Sequence, residues 1–193
     1  MELLESLSNL YKSCSRKCKG IIIWVIGTIL AIDIDFFPKI FNSELFETLI
    51  KQFDTCEESL KIEILQLLLV IVDYKNYEFT FSLFDYDLLQ SLINYMFDTN
   101  NFFKVNYLMI ILDIIKNLFE TELNFFGSLT NVNNFDENKI QFITKFIKKG
   151  GVEILEKIIY MQKEDITNQV NSIMKLIYTK EKIIKEIYKN PQN

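Results

Sequence analysis

The sequence predicts an all-α fold, a right-handed superhelix of about four helical repeats, and three observations carry that prediction. Apolar residues recur at helical spacing, as a short helix signal followed by a longer one. The pair returns at a nearly constant step. Breakers are scarce: the 193 residues hold only five glycines and two prolines, while 49% are hydrophobic. That balance suits long stacked helices better than a turn-rich sheet.

The short unit reads Leu3-Leu4…Leu7…Leu10, then Leu45-Phe46…Leu49-Ile50…Phe53, then Leu88-Leu89…Leu92-Ile93…Met96, then Val152…Leu155…Ile159. From Leu4 to Phe46 is 42 residues, from Phe46 to Leu89 is 43, and from Leu89 to Val152 is 63. The first two steps match the roughly 40–47 residue period of armadillo and HEAT repeats, and the third does so with a spacer of about 20 residues. Such units stack into a superhelix with an extended concave face, which is the geometry of a binding protein. The expectation is one armadillo-like domain over 1–193, with repeats at about 1–33, 34–76, 77–120 and 138–180, a spacer over 121–138 and a C-terminal helix over 180–189.

Taken in order, residues 17–32 read as a long helix, apolar enough to be buried on most sides. Asp33 and Asp35 break it, and Phe36-Phe37-Pro38 opens a short connecting helix. Residues 44–53 are a short helix; Cys56-Glu57-Glu58-Ser59 turns into a long one through about Val72, with acids favourably placed at its start. An aromatic connector spans 77–84, a short helix 87–97 and a long one 102–119. Thr121 to Lys139 is Asn-rich and reads as a looped spacer. A connector then leads to Gly150-Gly151, a short helix to Met161, a long helix from Asp165 to Tyr178 and a charged extension over 180–189.

The net charge is −5, unevenly placed. Residues 144–189 carry ten lysines against six acids, leaving the rest of the chain acidic. An acidic body repels phosphate, so direct nucleic-acid binding is not expected, and basic peptides are the better match. The Lys12, Arg16, Lys17, Lys19 cluster reads as a solvated turn or as a contact to phosphate or an acidic partner; the lysines of 180–189 read as a soluble capping face. Three cysteines argue against a secreted disulfide scaffold. The opening Met-Glu-Leu-Leu-Glu lacks a basic n-region, and the apolar run from Gly20 to Ile32 is shorter than the roughly 20 residues that span a bilayer. A soluble protein of cytoplasm or nucleus is expected, with no membrane role.

Catalytic and metal signatures are sparse. There is no histidine, hence none of the commonest general base. Neither a phosphate-binding Gly-rich loop nor a dinucleotide fingerprint occurs. Cys14 and Cys18 share a helix face, but with Cys56 the only other thiol they read as packing residues, so no metal or cofactor is expected. Asp33 with Asp35, and Asp85 with Asp87, sit near helix breaks, where acids act as caps. An enzyme is not expected.

Phe146-Ile147-Lys148-Lys149-Gly150-Gly151-Val152-Glu153-Ile154-Leu155 is similar to the opening of the last armadillo repeat of the importin alpha family. Ile111-Leu112-Asp113-Ile114-Ile115-Lys116-Asn117-Leu118-Phe119 resembles the final helix of its penultimate repeat, and the longer spacer falls at the corresponding place. Ile23-Trp24-Val25-Ile26-Gly27-Thr28 resembles the family's third-helix Trp-x-x-x-Asn motif, with Thr28 in the place of Asn. The likeness runs through nearly the whole chain, as the family's C-terminal four or so repeats. It implies a nuclear-import adaptor whose third helices hold an extended lysine-rich peptide. In such a groove an Asn carboxamide both donates to and accepts from the peptide backbone. Indole faces pack lysine stems, and acids receive the ammonium heads.

The pattern departs at Thr28, at Gln66 and Val70 one period on, and at Asp113 and Asn117 in the third repeat, so the family's minor peptide site is largely replaced. The importin-beta-binding arm and the major site would lie upstream of Met1, and the acidic tail gives way to a Lys-rich one. A fragment, a split subunit and a reduced paralogue all fit. Trp24, Thr28, Gln66, Val70, Asp113 and Asn117 are the candidate lining of a concave groove for an extended, basic protein segment. For Trp24 the competing reading is a core residue, since a lone Trp in an apolar run is usually buried. The alternative function is a scaffold or assembly factor docking on a large complex such as a ribosome or proteasome.

Overall fold

The computed structural model describes residues 2–83, 88–97, 105–127, 141–160 and 163–189. Among them are eleven α-helices, one 3-10 turn and no strand. They form two compact units, residues 1–91 and 92–193. The connectors around Asp85, Asp87 and 128–140, which include most of the expected spacer, lie outside the described residues.

In the first unit, α1 (Glu2–Ser13) and α2 (Arg16–Ile32) form the first short–long pair. A 3-10 turn (Ile34–Phe36) and the connector α3 (Phe37–Phe41) lead to the second pair, α4 (Glu44–Lys51) and α5 (Glu58–Asp73), then to the connector α6 (Tyr77–Ser82). The breaks follow local chemistry. Asp33 caps the 3-10 turn by accepting from the Asp35 backbone N–H at 3.1 Å, and Pro38 sits in the first turn of α3, where it has no lost hydrogen bond. Ser43 accepts from Phe46 N–H at 3.3 Å to start α4, and Asn76 accepts from Phe79 N–H at 3.1 Å to start α6.

Packing pairs like with like. α1 lies against α4, and α2 against α5. α2 buries Ile22, Ile23, Ile26 and Leu30, and α5 buries seven apolar side chains from Leu60 to Val72. Each such burial contributes about 1.5–3 kcal/mol. The aromatic connectors are drawn into one cluster, with Phe37 centred 6.2 Å from Phe46 and 4.6 Å from Phe79. The cluster holds α3, α4 and α6 together and accounts for the Phe-rich sequence there.

α7 (Leu88–Phe97) carries the unit boundary, and the second unit continues with α8 (Val105–Gly127), α9 (Phe142–Lys148), α10 (Gly151–Ile159) and α11 (Glu164–Lys189). Two differences from the sequence reading stand out. The third long helix does not stop at 119 but runs on through Gly127. The charged extension of 180–189 is continuous with the helix before it. The polar stretch after Phe119 is helical because one of its polar residues is a packing element. Glu122 is fully buried, and its carboxylate accepts the backbone N–H groups of Phe142 at 2.8 Å and Ile143 at 3.0 Å, capping α9. Burial pushes its pKa up, against the lowering effect of those two N–H donors and of Lys180.

Lys180 itself corrects the picture of a solvated capping face: it is only 6% exposed, and its ammonium donates to Thr144 Oγ1. The Gly150-Gly151 pair has two separate causes. Gly150 caps α10 with φ 81°, in the left-handed region. At Gly151 a Cβ would sit 2.4 Å from the ring of Phe146, a fully buried side chain stacked edge-on against Phe119 at 5.3 Å.

Candidate functional site

Four of the six candidate groove residues come together in the first unit. Trp24 and Thr28 are one turn apart on α2, Gln66 and Val70 one turn apart on α5, and the two helices run side by side. The four line one depression of about 250 Å³ with Gly27, Ala31 and Glu63. A second depression, of about 660 Å³, lies along the same helix pair and shares Trp24 and Glu63 with the first; Arg16, Lys17, Gly20, Ile21 and Ser59 complete much of its wall. Trp24 is 61% exposed, so the core reading of this residue is set aside: it stands in solvent between the two depressions.

The helix pair is stitched near its ends and open in the middle. At the start, the Arg16 guanidinium pairs with Glu57 and its Nε donates to Ser59 Oγ at 2.9 Å. At the far end, the Tyr74 hydroxyl donates to the Ala31 carbonyl at 3.0 Å. Between them α2 presents glycines at 20 and 27. A methyl group at Gly20 would meet Glu63 Cγ at 3.7 Å, and one at Gly27 would meet Leu67 Cδ1 at 3.8 Å. Both are ordinary contacts, so packing does not demand glycine. The missing side chains instead leave the two depressions open.

The polar equipment of this face is mostly uncommitted. Gln66 is exposed and, like the half-buried Glu63, makes no hydrogen bond or ion pair among the described residues. A free carboxamide can donate to and accept from an extended backbone, and a free carboxylate beside an exposed indole suits a cation. Thr28 is different: its hydroxyl donates to the Trp24 carbonyl at 2.9 Å, which leaves only its lone pairs for a ligand. Glu63, Gly20 and Gly27 went unnoticed in the sequence. The signal that finds them is position, since 20, 24, 27 and 28 share a face of α2, and 63, 66 and 70 share one of α5.

Asp113 and Asn117 lie on α8 in the second unit, one turn apart and half-buried. Asp113 is committed: the Gln169 amide of α11 donates to its carboxylate. Gln169 is a further residue that sequence reading missed. The basic cluster near α2 is likewise mostly engaged, with Lys12 paired to Glu44 at 2.6 Å and Lys19 over the Tyr11 ring at 4.9 Å. The Lys12 ammonium holds the Glu44 carboxyl below its usual range. Cys14, Cys18 and Cys56 are free, partly buried thiols; no group of three or more metal-ligating side chains occurs among the described residues. Nor is any described helix long and apolar enough to cross a membrane.

No family model matches the chain, and no curated protein matches it. Solved structures do. A designed armadillo repeat protein in complex with the peptide (KR)4 is 16% identical with TM-score 0.56, over 90% of this chain and 81% of that one. The designed armadillo repeat protein YIII(Dq)4CqI is 17% identical with TM-score 0.59, over 90% of this chain and 64% of that one. An armadillo repeat protein computationally designed for modular peptide recognition is 15% identical with TM-score 0.53, over 90% and 81%. At these identities the likeness speaks for the fold alone, and the fold of this chain is the armadillo-type stack of short and long helices.

Proposed function

We propose that the α2–α5 face of the first unit binds an extended segment of a partner protein. The carrying observation is the exposed Trp24, standing between two depressions beside the unpaired Glu63 and Gln66. In this reading the Gln66 amide bonds to the backbone of the segment. A basic side chain lays its stem along the Trp24 indole and its charge on Glu63. Two of the similar designed proteins carry peptide recognition in their descriptions, one of them with the alternating basic peptide (KR)4. Nuclear import is the finer role that the importin-alpha resemblance attaches to such a face, and it requires this same preference for a lysine-rich segment.

The experiment uses the single tryptophan as its own reporter. Titrating the full chain with a (Lys-Arg)4 peptide is expected to shift Trp24 emission saturably, and added salt is expected to weaken binding. In parallel anisotropy with a fluorescein-labelled peptide, Trp24→Ala and Glu63→Gln should each weaken binding about tenfold. An unchanged emission spectrum, or equal affinity for a (Glu-Asp)4 peptide, would sink the proposal.

A further inference from the structure

A second surface lies along the side of α2 that faces away from α5, meeting the edge of the groove at Lys17 and Ile21. Its evidence comes from comparing the chain with itself at the 42-residue step. Leu45 and Leu49 on α4, and Leu67 and Ile71 on α5, are each at most 2% exposed, in helices that α1 and α2 pack against. Moving back 42 residues from these positions reaches Leu3, Leu7, Val25 and Ile29. None of these is buried, and Leu3 is 59% exposed. Leu10, Ile21 and Ile32, at 47%, 54% and 81%, extend the same two stripes. The spacing of 3, 7 and 10 on α1, and of 21, 25, 29 and 32 on α2, keeps each stripe on one helix face. An apolar stripe of this extent marks a contact surface, and the register marks what fits it: another helix laid where α1 and α2 lie upon α4 and α5.

Charge narrows the occupant. Where α5 begins with Glu57-Glu58-Ser59, it receives the cation Arg16. The same step back, α2 begins with Ser15-Arg16-Lys17, so the sign at this edge is reversed. Lys17 is exposed and carries no partner among the described residues. From Ser6 to Ile32 the chain holds four basic residues and no acid. A second copy of the chain would set these cations against each other. We infer that the α1–α2 edge docks a leucine- or isoleucine-striped helix of a partner protein whose flanks carry acidic side chains that meet Lys17.

The test uses two fluorescein-labelled amphipathic peptides of about 20 residues, identical in their leucine stripe and flanked in one by glutamates and in the other by lysines. Anisotropy with the full chain should show saturable binding of the glutamate peptide, about tenfold tighter than its lysine twin. Leu10→Lys should weaken it about tenfold. Lys17→Glu should reverse the preference between the peptides. Both residues are exposed, so circular dichroism melts of these variants should match the parent. Leu10→Lys, at a residue that lines neither depression of the groove, should leave (Lys-Arg)4 binding unchanged, which separates failure here from failure of the groove reading. The proposal is overturned by equal binding of the two peptides, by no binding of either, or by a concentration-dependent dimer in sedimentation that Leu10→Lys dissolves.

Discussion

The helix pairs α2–α5 and α8–α11 are built alike, each a long helix laid beside a long helix of a neighbouring repeat, but their polar residues are spent differently. On α2–α5 the charged and amide groups midway along the pair, Glu63 and Gln66, have no partner among the described residues, and glycines at 20 and 27 hold the space open. On α8–α11 the corresponding resources are turned inward. Asp113 receives Gln169, Glu122 caps α9, and Lys180 reaches Thr144 from a buried position. A buried polar group without a partner costs roughly 1–3 kcal/mol, so once such a side chain is enclosed it must serve the fold. One that stays at the surface is free for a ligand.

That contrast can be broken most sharply at Glu122. Glu122→Ala strips the acceptor from two N–H groups and leaves the Lys180 charge enclosed, and should cost the second unit about 3 kcal/mol in urea unfolding. Loss of less than about 1 kcal/mol would mean that the cluster is not the closed counterpart of the open groove. Gly151→Ala comes next. The buried Phe146 ring must move to admit the new methyl group, at a cost of about 1–3 kcal/mol.

A pH series sharpens the same comparison. Glu122 binds its proton more tightly in the folded unit than in the unfolded chain, because burial raises its pKa. Its contribution is therefore fully present below the ordinary carboxylate value of about 4.3 and is lost as pH rises through the elevated folded value. The stability of the native chain relative to Glu122→Gln should fall across that window and level off above it. A difference that stays flat, or that grows with pH, would contradict the buried environment. The smallest effect belongs to the open pair: Gly27→Ala removes an interior helix glycine with room for the methyl group and should stabilise the first unit by about 0.5–1 kcal/mol. Thermal melts of the two variants side by side would show whether alanine is welcome at 27 and resisted at 151.

Local chemistry was the legible part. The short helix beginning at 44, the break at Asp33 and the proline-initiated connector depend on residues within a turn or two of one another. The 42-residue register of the short helices repeats such local patterns along the chain. The pairing of Trp24 and Thr28 with Gln66 and Val70 follows from the repeat step instead, since equal steps place equivalent positions of neighbouring helices beside each other. Glu122 was hidden because a polar stretch ordinarily signals a loop, and its partners lie 20 and 21 residues away. Trp24 left both a groove and a core reading open for the converse reason: it is an aromatic in an apolar run, and its exposure depends on what the neighbouring helix leaves vacant.

By itself the sequence determined the helical repeat: periodic apolar spacing and caps act over one or two turns, and a chain so poor in breakers has few other ways to satisfy its backbone. Only the tertiary structure decided which polar side chains are sealed in and which remain available. Enclosure is a property of the facing helix, not of the residue. Glycines at 20 and 27 left Glu63 and Gln66 within reach of a partner, while Gln169, Thr144 and the start of α9 had already claimed Asp113, Lys180 and Glu122.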